Sequence, residues 1–254
     1  WAAAQDFDAD PWTLNTPAGI VDLRDGTIRP HDPAALCTRC TAVAPDTRPA
    51  AEARPRFDRF LAEVFAPLDD ADRAETIRFV QASLGYCLTG DTAIHALYFW
   101  YGAGRNGKNT LGDLVLRAVG SYGRKIPSSV LMASRGERHP TEIAQLRGVR
   151  LAVSSEIESG VYWNESLIKE VTGDDRLSAR FMRQDFFEFP RTHKHLIFGN
   201  NKPRVRAVDD ALKARLKLVG FPVNFDAEGR ADPTLPERLA REAPGVLAWL
   251  IEGA

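Results

Sequence analysis

Seven residues, Gly102-Ala103-Gly104-Arg105-Asn106-Gly107-Lys108, have the spacing G-x-x-x-x-G-K of a loop that holds nucleotide phosphates. Its chemistry is largely that of the main chain. Glycines let successive N–H groups curl round an anion, and a helix starting at the lysine points its positive end at the same place. Lys108 would reach the β- and γ-phosphate oxygens, with Asn109 and Thr110 completing the cradle. Such loops carry Ser or Thr after the lysine, to ligate Mg²⁺. Here the residue is Asn109, whose carbonyl oxygen is a competent hard ligand, directly or through water.

Cleaving a phosphoanhydride also needs a carboxylate at a neighbouring strand end, to hold the metal and orient water. Glu156 and Glu158 follow the apolar run in "RLAVSSEIE", and residues i and i+2 of an extended chain point the same way. Glu156 is expected to serve metal and water, with Glu158 as its partner. A third apolar run, "HLIFGN", ends in Asn200 and Asn201. An amide there can hold the attacking water or sense the γ-phosphate, although Asn and Pro also simply make turns.

These groups need strands and helices to place them. "ALYFWY", "RLAVSS" and "HLIFGN" read as strands buried on both faces of a parallel sheet. "NTLGDLVLRAV", "PTEIAQLR" and "NESLIKEVT" read as the helices between them, so an α/β layered domain is expected. Upstream, "GIVDLRDGTIRPHDP" predicts a hairpin turning at Asp25-Gly26. Residues 41–56 read as a linker. Two helices follow, one burying Phe57, Phe60, Leu61, Val64 and Phe65, the other Ile77, Val80, Leu84 and Cys87. The expected division is a mostly helical accessory domain at 1–92, a phosphate-loop core at 93–230 and a helical segment at 231–254.

The chain has 254 residues, 44% hydrophobic and 26% charged, which suits a packed globular protein. No apolar run approaches the roughly 20 residues that span a bilayer. With no initial Met, the sequence reads as a piece of something larger. The net charge of −1 hides a contrast: residues 1–80 hold nine Arg against fourteen Asp and Glu. Residues 176–217 hold eleven Lys and Arg against four acids, a possible polyanion surface. Cys37, Cys40 and Cys87 are too few for a disulfide framework and suit a reducing cytoplasm; "CTRC" reads as structural.

Taken together, the chain resembles the helicase part of phage and plasmid primase-helicases, within the superfamily III DNA helicases that include poxvirus and satellite-phage replication proteins. The resemblance runs from "FDADPWTLNTPAGIVDLRDGTIRPHDP" through "GYCLTGD", "YGAGRNGKNT", "SSEIESG" and "DDALKARLKLVGFPV". Its most specific stretch is "NESLIKEVTGDDRLSARFMRQDFFEFPRTHKHLIFGNNKPRV". It implies an AAA+-like ATPase core that uses ATP and Mg²⁺ and assembles as a homo-hexameric ring on single-stranded or forked DNA. A primase domain upstream and a bacterial cytoplasm are also implied. By position, Lys108 matches the loop lysine, Glu156 and Glu158 the acidic motif, and Asn200 the polar sensor. Arg215 matches the arginine given to a neighbour's nucleotide; read without the resemblance, it pairs locally with Asp209 or Asp210.

DNA would meet a hairpin in "LSARFMRQDFFEFP" that folds back near Arg183-Gln184-Asp185, with Lys169, Arg176 and Arg180 nearby in sequence. Contacts to phosphates would be largely independent of sequence. Phe181, Phe186, Phe187 and Phe189 could stack on bases, but core packing is the better expectation for most of them. Rival readings are a small-molecule kinase, which leaves the basic hairpin and Arg215 unexplained, and a DNA-loading module in which Asn109 has abolished turnover.

Overall fold

The computed structural model of the chain describes residues 2–132, 141–155, 162–200 and 209–254. The N-terminal part opens with a three-stranded antiparallel sheet, β1 (Thr13–Thr16), β2 (Gly19–Asp22) and β3 (Ile28–Arg29). β2 and β3 form the hairpin turning at Asp25-Gly26, with Gly26 at φ 74°. The linker at 41–56 is more structured than its composition suggests. It contains α1 (Ala50–Ala53) and enters α2 (Pro55–Val64), and it is stitched down by main-chain bonds from Ala42 to Ala118 O and from Asp46 to Pro244 O. α2 buries the apolar stripe expected of it, and α3 (Asp70–Tyr86) buries Val80 and Leu84 behind an Asp69 N-cap.

The second part alternates strictly. β4 (Leu97–Tyr101), α4 (Lys108–Val119), β5 (Gly123–Lys125), α5 (Thr141–Ala144), β6 (Leu151–Ser154) and α6 (Glu165–Gly173) come first. A two-stranded hairpin follows, β7 (Arg176–Ala179) with β8 (Phe187–Pro190). Then come β9 (Lys194–Gly199), α7 (Asp210–Arg215), β10 (Leu216–Gly220), α8 (Leu235–Ala240) and α9 (Ala243–Glu252). The central sheet is all parallel in the order β10-β4-β9-β6-β5. All five strands therefore end on one edge, and β9 lies between β4 and β6.

Both faces of the sheet are covered. On one side Trp100 stacks on its cross-strand partner Phe198 at 5.3 Å, in a core shared with α2, α3, α4 and α9. On the other, Leu97, Phe99 and Ile197 pack with α6 and α7. α4 can approach the first face only because it carries Gly112: a Cβ there would sit 2.1 Å from the Phe198 ring. Leu14, Val21 and Phe57 belong to the same cluster as Trp100 and Leu111, so the N-terminal segment and the sheet share one core.

Two buried cations reinforce that union. Arg150 donates to Leu88 O at 2.7 Å and to Thr13 O at 2.9 Å. Lys194 donates to Thr89 O at 2.6 Å and Asp91 O at 3.0 Å beneath the Tyr86 ring, and burial pulls its ammonium down to about 7. Arg191 is buried as well, holding Asp174 O and Thr92 O. The positive charge of 176–217 is thus not one surface: part of it satisfies loop carbonyls inside the protein. Among the described residues no helix is long and apolar enough to cross a membrane.

Candidate functional site

The loop after β4 leaves the sheet beside β9 and returns as α4. Its turn uses left-handed residues, Gly104 (φ 92°), Arg105 (φ 51°) and Gly107 (φ 86°), the last placed directly before the first helical residue, Lys108. A side chain at Gly107 would strike Val64 and Phe60 at about 3 Å, so α2 of the N-terminal part braces the turn from below. A Cβ built on Gly104, by contrast, meets nothing within 4 Å. The cradle is open where a ligand would enter.

Inside the cradle Lys108 is 4% exposed, and its ammonium donates to Gly102 O and Asn106 Oδ1, both at 3.0 Å. Burial lowers its pKa. Among the described residues it has no carboxylate partner. A desolvated cation held only by neutral oxygens is unsatisfied electrostatically, and an anion at the open face would complete it. Asn106 turns inward, donating to Phe221 O at 3.3 Å, so its side chain positions Lys108. Phe221 is wedged against Trp100 and Phe65. The Phe225 N–H donates to Arg105 O at 2.9 Å, and Asp226 pairs with the Arg105 guanidinium at 3.3 Å. This strap after β10 is the part of the site that pattern reading missed, since nothing in "GFPVNFD" marks it as a neighbour of the loop. Asn109 is exposed and Thr110 half-buried at the first turn of α4.

Asn200 follows β9 and is exposed at the same edge as the loop. The end of β6, Ser154, lies one strand farther along, and its chain leads toward Glu156. Glu156 and Glu158 lie outside the described residues, as does Asn201. The described residues contain no group of three or more His, Cys, Asp or Glu able to hold a metal. A cation here would rest on Asn109, on phosphate oxygens and on the segment after Ser155.

Arg215 lies at the other end of the sheet. The next residue, Leu216, pairs with Leu97, whereas the loop follows Tyr101, which pairs with Gly220. Four strand steps separate the two levels, roughly 13 Å before the loop itself is counted. The guanidinium turns back onto Ala211 O at 2.9 Å and lies near Gly173. The local pairing open to it is not made: Asp209 binds Lys169 and caps α7, and Asp210 pairs with Lys213 at 3.4 Å.

The hairpin in "LSARFMRQDFFEFP" is present, with Arg183 at its turn in the left-handed region (φ 61°). Phe189 is buried and Phe187 half-buried, while Phe181, Met182 and Phe186 are exposed. Core packing therefore claims only part of the aromatic set. Arg180 lies over the Phe186 ring at 4.8 Å, and Lys169 sits apart, in its ion pair with Asp209.

Residues 2–66 match the family described as D5 N terminal like, and residues 100–215 match a family of unknown function, DUF5906. A helicase-named protein of Acanthamoeba polyphaga mimivirus is 24% identical over 87% of the chain, and one of Frog virus 3 is 29% identical over 68%. The chain is similar to proteins of the phage and viral superfamily III primase-helicase type. It spans 23% and 18% of the length of those two relatives. The same fold occurs in two apo structures of the NrS-1 C-terminal region, with TM-scores of 0.60 and 0.61 at 13% and 14% identity. They align with 83% of this chain, which covers 47% and 48% of theirs. The N-terminal match ends at residue 66, just past α2, the helix that braces the turn at Gly107.

Proposed function

We propose that the chain is the ATP-hydrolysing motor segment of a replicative DNA helicase, moving on single-stranded DNA as a homo-hexameric ring. The observation that supports this best is the separation of its two key cations. Lys108 faces an open phosphate cradle at one end of the sheet, and Arg215 stands at the other, with its guanidinium hydrogen-bonded to Ala211 O. One copy cannot bring them together; two adjacent copies in a ring can. An arginine supplied from a neighbour neutralises charge on the transferring phosphoryl only when the ring is assembled. In this reading Asn200 and the acidic pair Glu156 and Glu158 orient the attacking water. Asn109, Glu156 and the nucleotide would hold Mg²⁺, which would supply charge neutralisation at the phosphate oxygens. An upstream primase domain and a bacterial cytoplasm as the setting belong to the same proposal.

ATP turnover measured with and without single-stranded DNA, alongside solution mass, tests it. Stimulation by DNA in an assembled form is expected; turnover indifferent to DNA in a monomer would sink it. The exposed hairpin tip is the proposed DNA contact, with Arg183 and Arg180 on phosphates and Lys169 contributing once released from Asp209. Arg183→Ala should weaken single-strand binding at low salt and reduce the salt slope of log affinity by about one. DNA-free ATP hydrolysis should be unchanged. Equal affinity and slope in the variant would remove the hairpin from the mechanism.

A further inference from the structure

A glycine ends α6, but not for the usual reason. Glycines that stop helices take up the left-handed region just past the last turn. Gly173 is instead the last helical residue, its φ is not left-handed, and the cap after it is Asp174 in an extended conformation. Alanine would suit that backbone better, since glycine weakens a helix. What alanine would disturb is a neighbour. A Cβ at 173 would lie 3.0 Å from Nη2 of Arg215, the one described contact it would make outside its own helix.

We propose that Gly173 is a positioning residue for Arg215: the missing side chain leaves the place in which the guanidinium lies. This rests on the reading of Arg215 as the arginine given to a neighbour's nucleotide, and adds what aims it. The guanidinium is fixed on three sides. Nη1 donates to Ala211 O at 2.9 Å, Nη2 lies against Gly173, and Nε is buried without a hydrogen-bond partner among the described residues. Keeping a donor dry costs free energy, so packing imposes this pose, not the guanidinium's own bonds. The C-termini of α6 and α7 meet at the cation, and a helix C-terminus favours positive charge. One turn earlier on α6, the Lys169–Asp209 ion pair ties the same two helices. The platform is itself pinned from beneath by buried Arg191. Its Nε donates to Asp174 O at 2.8 Å, its main-chain N–H to Asp175 O at 2.9 Å and Nη2 to Thr92 O at 3.1 Å. Precision of this kind matters to turnover, because a misplacement of about 1 Å can cost about 10²-fold.

Steady-state ATP turnover of the full 254-residue chain, assembled on single-stranded DNA, tests this in a graded pair of variants. Gly173→Ala shifts the guanidinium by a few tenths of an ångström and should lower kcat by about three-fold. Gly173→Leu takes its place outright and should lower kcat by about ten-fold or more. ATP affinity measured by calorimetry should not change, and the Tm of the alanine variant should equal or exceed that of wild type. A merely structural role would lower Tm together with kcat. Mixing locates the effect: Gly173→Leu subunits should regain turnover with Lys108→Met subunits, whose arginine is intact, and stay slow with Arg215→Ala subunits. Should the leucine variant not fold, the alanine variant decides. Wild-type kcat in the folded variants beside an impaired Arg215→Ala would overturn the proposal. So would weakened ATP binding, or a loss that Lys108→Met subunits do not relieve. Normal turnover in Arg215→Ala is a different pattern: it would bring down the trans reading itself, and this proposal with it.

Discussion

Arg215→Ala should lower ATP turnover by about 10³–10⁵-fold while nucleotide binding and fold persist. The size follows from the role proposed for the side chain: it meets charge that develops on the phosphoryl during transfer and contributes little to holding the ground state. Fold should survive because Arg215 ends a six-residue helix, is only half-buried and donates to a carbonyl of its own turn, Ala211 O. The sheet register places the guanidinium a strand length from its own loop, so its effect must be read in a neighbour. A mixture tests this directly. Arg215→Ala subunits combined with Lys108→Met subunits, each inactive alone, should regain turnover, since one kind of interface joins an intact loop to an intact arginine. Turnover near wild type in Arg215→Ala would end the trans assignment, as would co-assembled mixtures that stay inactive.

Lys108→Met should abolish measurable turnover, a loss of at least about 10²–10³ judged from single preorganised donors in other sites, and should also weaken ATP. The electrostatic state of the empty loop explains why binding suffers as well. The ammonium is buried, its pKa is depressed by that burial, and its two partners among the described residues are neutral oxygens, so part of its desolvation has already been incurred before any ligand arrives. Phosphate oxygens then gain a charge-assisted bond at little further cost. Methionine keeps the volume and removes the charge. Stability should change little, because loss of the buried cation offsets the two acceptors left without it. Calorimetric titration with ATP and a steady-state phosphate-release assay check both halves. A variant that turns over ATP within a few-fold of wild type would show that this loop is not where hydrolysis occurs.

Much of the site was legible because it is encoded locally. The turn at Gly102–Lys108 needs left-handed residues at set positions, and the following helix needs its apolar stripe; both requirements appear as residue types at fixed spacing. The strands β4, β6 and β9 were legible for a similar reason, being buried on both faces and apolar over most of their length, with Lys194 and His195 at the start of β9 the exceptions. β5 and β10 were not. One is a three-residue edge strand reading "GRK", and the other is an edge strand with a single fully buried position, so neither presents an apolar run. The helix expected across "PTEIAQLR" shrinks to the single turn Thr141–Ala144.

What the amino-acid sequence determined by itself is therefore the loop, its lysine, the buried strands that end in polar residues, and the reversal at Arg183. Each depends on backbone conformation or burial within a few residues. Only the tertiary structure decided strand order, and with it that Asn200 stands between the loop and the chain leading to Glu156 while Arg215 stands at the far end. Only the tertiary structure showed that Asn106 and Phe221 hold Lys108 in place, and that Arg191 and Lys194 spend their charge on buried carbonyls instead of a surface. The reason is range. Turn and helix chemistry is written in neighbouring residues, whereas the partner of a buried cation or the neighbour of a strand is set by packing across a hundred residues or more, which no local spacing records.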